Sequence, residues 1–122
     1  MGALSKLIGD EGEYFAVKYL ESMGWTIEER NFCSNHGEVD IIAKHNGILV
    51  FVEVKNYSKR SYYPPEVSIT AAKRRCIIHA AKFYLFKNRI DDVYCRFDVV
   101  TFYRDIKGTS KIDHFKNAFE IN

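Results

Sequence analysis

Asp40, Glu53 and Lys55 are the residues of this 122-residue chain whose types and spacing could do chemistry. Two carboxylates can hold a divalent cation, and the cation can activate a water beside them. A lysine next to them supplies a compact positive charge for an anionic substrate. Asp40 lies in Gly37-Glu38-Val39-Asp40-Ile41-Ile42, and the other two end the run Ile48-Leu49-Val50-Phe51-Val52-Glu53-Val54-Lys55. A plainer reading also fits: Glu53 and Lys55 as a surface ion pair at a strand end, with Asp40 beginning a strand.

These residues must be positioned by strands. Residues 48 to 55 are β-branched and apolar in alternation, so Leu49, Phe51, Glu53 and Lys55 share one face and Ile48, Val50, Val52 and Val54 the other. Both faces are apolar at the start, which predicts a central strand covered on both sides, with Glu53 and Lys55 at its far end. A carboxylate buried there is costly unless a cation or hydrogen bonds compensate it. Residues 38 to 44 form a second strand pattern, with Glu38, Asp40 and Ile42 on one face. His45-Asn46-Gly47 predicts a tight hairpin turn that brings Asp40 across from the 53–55 end. Glu38, on the same face as Asp40, reads as a supporting group for the site or, more simply, a solvated charge.

The remaining elements follow from periodicity and caps. Residues 4 to about 23 predict a helix that Gly24 stops, and residues 25 to 33 a first strand. Residues 56 to 68 predict a loop in which Tyr57, Tyr62 and Tyr63 interleave with Lys59 and Arg60 before Pro64-Pro65. Such a loop can contact phosphates and stack on bases, or rest as a surface loop. Ser68 or Thr70 can cap a second helix that runs to about Lys87. A strand over 93 to 103, a short strand near 111 to 115, and a closing turn with Ala118 and Phe119 complete the chain. The order predicts a single α/β domain with a central mixed sheet flanked by helices.

Composition bounds the rest. Hydrophobic content of 47% and charged content of 28% suit one globular core and exclude a disordered chain. His79 and Lys82 interrupt the longest apolar stretch, so no membrane partner is expected. Cys33, Cys76 and Cys95 are odd in number and lack a C-x-x-C pair, which predicts reduced, buried thiols and a cytoplasmic location. Cys33 and His36 have a metal-like spacing but no second pair follows, so zinc is not expected. Residues 1–54 carry four Lys/Arg against nine Asp/Glu, a net −5, and residues 55–122 fourteen against seven, a net +7. That asymmetry predicts one positive face suited to a polyanion, or simply a solvated basic helix. Arg74 and Arg75 either extend that face or are simply solvated. Asp98 is expected to pair with Arg96, and His79 and His114 to be structural or surface residues.

Asp40 followed by Glu53-Val54-Lys55 at the end of a hydrophobic strand resembles the core of the PD-(D/E)XK nucleases. With Gly12-Glu13, Arg30-Asn31, Lys73, Arg96-Phe97-Asp98-Val99-Val100 and Asn117-Ala118-Phe119 added in order, the chain looks like the YraN-type family of endonuclease-like proteins, which is similar in fold to archaeal Holliday-junction resolvases. The resemblance implies a restriction-endonuclease-like fold and Mg²⁺- or Mn²⁺-dependent hydrolysis of DNA, including branched or structured DNA. The alternative it leaves is a non-catalytic nucleic-acid-binding module. It implies Asp40, Glu53, the Val54 carbonyl and Glu13 around the metal, Asp40, Glu53 and Lys55 as the catalytic set, and Lys59, Arg60, Lys73 and Arg74 facing DNA. Resolvase relatives work as dimers, so a homodimer is implied too. The chain departs from the family where Asn56-Tyr57 precedes Lys59-Arg60 and where a tyrosine stands for a common loop glycine.

Overall fold

A computed structural model of the chain describes residues 2–57 and 69–120, with side chains from residue 11 onward. The elements are α1 (Gly2–Ser22), β1 (Thr26–Ser34), β2 (Gly37–His45), β3 (Ile48–Tyr57), α2 (Ala71–Lys87), β4 (Tyr94–Arg104) and β5 (Ser110–Phe119). The five strands form one sheet in the order β1-β2-β3-β4-β5. Neighbours are antiparallel except β3 and β4, which are parallel and joined by the α2 crossover. This is a single-domain α/β architecture, with a mixed sheet and two helices among the described residues, consistent with a restriction-endonuclease-like fold.

Local chemistry explains the ends of these elements. Gly24, at φ 85, lets α1 end with the Gly24 amide bonded to the Glu21 carbonyl and the Trp25 amide to the Leu20 carbonyl. Trp25 and Leu20 then pack in the same core cluster. Asn46 and Gly47 both adopt positive φ, so a two-residue turn joins His45 to Ile48. Thr70 is the N-cap of α2, its Oγ1 accepting from the Lys73 amide at 3.1 Å.

Strand β3 is buried on both faces, as its alternation predicts. Leu49 and Phe51 pack under α2 with Ile77, Ala80, Ala81 and Tyr84, while Val50 and Val52 pack under α1 with Ala16, Val17 and Leu20. Both helices bury a stripe with i, i+3, i+4, i+7 spacing.

Two expectations fail. The chain closes not on a short strand and a turn but on the full-length β5, which includes Ala118 and Phe119. Its register with β4 slips between Phe97 and Val99, and Asn117 at φ 53 lies in the bulge, so alternation is lost where a strand pattern would have been read. The cysteines are free but not buried: Cys33 and Cys95 are exposed and Cys76 is half-buried. None of the described helices is long and apolar enough to cross a membrane.

Candidate functional site

The site forms where two strands part. The β2–β3 ladder runs from His45↔Ile48 to Ile41↔Val52 and stops. On the other edge of β2, Arg30 pairs with Ile41 and Phe32 with Val39 in one register, and Asn31 between the two β1 residues takes φ 53. Val39 and Ile41 pack on opposite sides of the sheet, which breaks the alternation of β2 at Asp40. The Asp40 carboxylate fills the gap. Its Oδ2 accepts the Val54 amide at 2.8 Å, giving that N–H a partner beyond the last backbone pair.

Glu53 is the β3 residue next to this gap and is buried. Burial and the adjacent Glu53 charge together push the Asp40 carboxyl up to about 7, against the pull of the Val54 N–H and the Lys73 charge. A second negative charge beside Glu53 is disfavoured in this pocket, so near neutrality Asp40 is partly protonated unless a cation joins the pair.

Glu13 approaches from α1. It falls on the same helical stripe as Ala16, Val17 and Leu20, and it is buried. Burial and then the Asp40 charge raise its proton affinity, offset by the side chains of Arg30 and Asn31. The Arg30 guanidinium donates to Glu13 Oε1 at 3.2 Å. Gly12 precedes it because a Cβ there would strike the carboxamide of Asn56 on β3. The Asn56 Oδ1 is buried without a hydrogen-bond partner among the described residues. This close approach brings the Glu13 turn of α1 against the end of β3.

Lys73 approaches from α2. It lies four residues before Ile77, in line with that helix's buried stripe, and its Nζ is 3.5 Å from Glu53 Oε2. Lys55, half-buried on β3, forms no ion pair among the described residues. Arg74 is turned back on its own helix, its guanidinium donating to the Ile69 carbonyl at 2.9 Å. Lys59 and Arg60 lie outside the described residues. Glu38 is exposed.

The structure therefore brings Asp40, Glu53, Glu13 and Lys73 into one electrostatic group, with Lys55 on the next same-face position of β3. Among the described residues no three His, Cys, Asp or Glu side chains form a group that could hold a metal ion. Glu13 is engaged by Arg30, which leaves Asp40 and Glu53 as the carboxylate pair. Sequence reasoning assigned no role to Arg30, Asn31 or Asn56, and set Lys73 against a phosphate rather than a carboxylate. The available signal was a charged residue in phase with each apolar stripe: Glu13 before Ala16 and Val17, Lys73 before Ile77.

A second polar cluster lies on the α1 face of the sheet. Arg96 donates to both oxygens of the fully buried Asp98 at 2.8 and 2.9 Å, His114 Nε2 lies 2.7 Å away, and the Asn117 amide donates at 2.9 Å. Tyr19 Oη lies 3.1 Å from His114 Nδ1. The expected pairing of Asp98 with Arg96 and the structural place of His114 are as the sequence suggests.

Residues 12–102, most of the chain, match the family described as "Uncharacterised protein family UPF0102". A UPF0102 protein of Persephonella marina is 45% identical over 114 residues, covering 93% of this chain and 94% of its own. Others from Clostridium beijerinckii and Geobacter metallireducens are 39% and 42% identical over 123 and 122 residues, covering 100% and 99% of this chain and 100% and 98% of their own. The chain belongs to the UPF0102 family.

Proposed function

We propose that the protein is a metal-dependent endonuclease that hydrolyses DNA phosphodiester bonds, acting on branched or structured DNA, with Mg²⁺ or Mn²⁺ held by Asp40 and Glu53. The observation that carries this reading is the pairing of two carboxyls at the strand gap, where burial and the Glu53 charge push the Asp40 carboxyl up to about 7. The donor set fits the ion. Mg²⁺ keeps several waters and takes only one or two carboxylates, so a pair of oxygen donors suits it better than zinc. The Val54 carbonyl would be the further oxygen, and Glu13, paired with Arg30, would act on the site through its charge. Bound there, the cation would neutralise charge building on a phosphate and acidify a water.

The chain's own residues divide the remaining work. Asp40 is held in orientation by the Val54 amide. Lys55 follows Glu53 on the same face of β3, so a phosphate over the carboxyls meets a positive charge not already spent on an ion pair among the described residues. Lys59, Arg60 and the tyrosines near them in sequence are the proposed DNA-facing set, while Lys73 and Arg74 are engaged with Glu53 and the Ile69 carbonyl in the metal-free protein. A homodimer would set two such sites against opposite strands.

Cleavage of linear, single-stranded, flapped and four-way-junction DNA in Mg²⁺ or Mn²⁺ tests this reading. Asp40→Ala, Glu53→Ala and Lys55→Ala are each expected to lower the rate at least about 100-fold, the scale of losing one charged stabiliser of a transition state. Variants that cut as well as wild type would remove the assignment. The lack of a three-ligand group among the described residues favours one second reading, a nucleic-acid-binding module without catalysis. That module would bind the same DNAs and leave them intact in either metal.

A further inference from the structure

We propose that Lys73 is the resident counter-ion of the Asp40–Glu53 pair, and that a divalent cation binding there displaces it. The inference rests on reading that pair as the metal site, and it gives the two lysines of the site different jobs.

The geometry separates them. Lys73 Nζ is 3.5 Å from Glu53 Oε2, whereas Lys55 makes no ion pair among the described residues. Lys73 comes from another element, and its backbone is fixed: its amide caps onto Thr70 Oγ1, and its position continues the stripe of Ile77, Ala80 and Tyr84. Only its flexible side chain is free to move. That side chain is 40% exposed, against 9% for its Glu53 partner, so the ammonium reaches in from water toward a buried acid. Leaving returns it to solvent at little desolvation cost. Arg96 differs in each respect, since it is mostly covered and holds a fully buried aspartate through two parallel bonds.

Charge then makes the exchange competitive. A divalent cation accepted by Asp40 and Glu53 takes the place of a single positive charge and repels it at short range. By linkage, whatever Lys73 contributes to holding the pair without metal is subtracted from metal affinity, and the metal weakens the ion pair by the same factor. The protein thus carries a monovalent stand-in that keeps the acidic gap closed to other cations until a divalent ion arrives.

Calorimetric titration of Mn²⁺ and Mg²⁺ into metal-free protein tests the proposal without any cleavage assay. Lys73→Met and Lys73→Gln are expected to bind Mn²⁺ at least about 5-fold tighter than wild type, the lower end of measured coupling between linked sites. Lys55→Met should change affinity less. In wild type, the Lys73 side-chain methylene resonance should shift on Mg²⁺ addition and reach its limit when the site saturates. Unchanged or weaker metal affinity in both Lys73 variants would overturn the proposal. Asp40→Asn separates that failure from failure of the site itself. If wild-type binding survives Asp40→Asn, or wild type binds neither metal, the carboxylate-pair reading falls and this inference with it. If Asp40→Asn abolishes binding while the Lys73 variants fail to tighten it, only the role of Lys73 is wrong.

Discussion

Asp40 and Asp98 begin from the same structural task and end in opposite electrostatic states. Each stands where a strand ladder fails, and each accepts a stranded backbone amide: Val54 for Asp40, Asn117 for Asp98. Burial alone would raise both carboxyls. Around Asp98 the His114 ring, the Arg96 guanidinium and the Asn117 N–H outweigh burial, and its proton affinity falls below the usual carboxylate range. Around Asp40 the next group is Glu53, another acid, and its carboxyl rises to about 7. The difference teaches what a buried charge is for. Asp98 has every partner it needs and ties β4 to β5. Asp40 has a second acid beside it, the feature on which the proposed cation-binding role rests.

The comparison breaks most severely if Asp98 is removed. Asp98→Ala strands the Arg96 and His114 groups, and chemical denaturation should show a loss of about 3–5 kcal/mol, the scale for breaking one side of a buried ion pair. Asp40→Asn in metal-free buffer should be neutral or stabilising near pH 7, because it removes one of two repelling acids. A loss at Asp40 as large as at Asp98 would end the distinction.

The two aspartates should also respond to pH with opposite signs. Asp40 has a raised folded pKa, so the folded state holds its proton between about pH 4 and 7 where the unfolded chain has lost it. Metal-free stability should therefore fall as pH rises through that window, by up to about 1.4 kcal/mol per pH unit, and Asp40→Asn should flatten the slope. Asp98 has a lowered folded pKa. Its contribution is present above the unfolded carboxylate value near 4 and is lost as pH falls through the lower folded value. Denaturation midpoints in EDTA from pH 3 to 8 read both limbs.

Smaller effects sharpen the contrast from the scaffold side. A Cβ at Gly37 would meet the Cys76 backbone carbonyl, so Gly37→Ala should push α2 off the β1–β2 turn at a cost of about 1–3 kcal/mol. Thr70→Ala should cost about 1 kcal/mol by uncapping α2, and it should disturb the Lys73 side of the acidic pair while leaving the Asp98 cluster unchanged. Amide chemical shifts near Val54 and Asn117 tell the two responses apart.

Much of this was legible in the chain. The alternation of residues 48–55, the Asn46-Gly47 turn, the Gly24 stop and the Thr70 cap are local signals, and the structure follows each. These signals also put Asp40 beside Glu53, because hairpin register and a period of two leave few choices. β5 was not legible. Its Ser110–Phe119 segment is polar, lies at the sheet edge and bulges at Asn117, so its strand character comes from pairing with β4 rather than from its own pattern. Nor could the thiols be placed, since burial of a small side chain depends on which faces are covered.

What the sequence by itself determined is the set of elements and the carboxylates at their ends, because propensity, capping and alternation act over a few residues. Tertiary structure alone decided which charge meets which. Lys73 could have faced solvent, Glu13 could have joined Asp40 outright, and His114 could have stayed on the surface. The folded sheet instead sent Lys73 to Glu53, Arg30 to Glu13 and His114 to Asp98. Such pairings depend on distances between residues far apart in the chain and on how much water is left between them, and neither is written in any local run of residues.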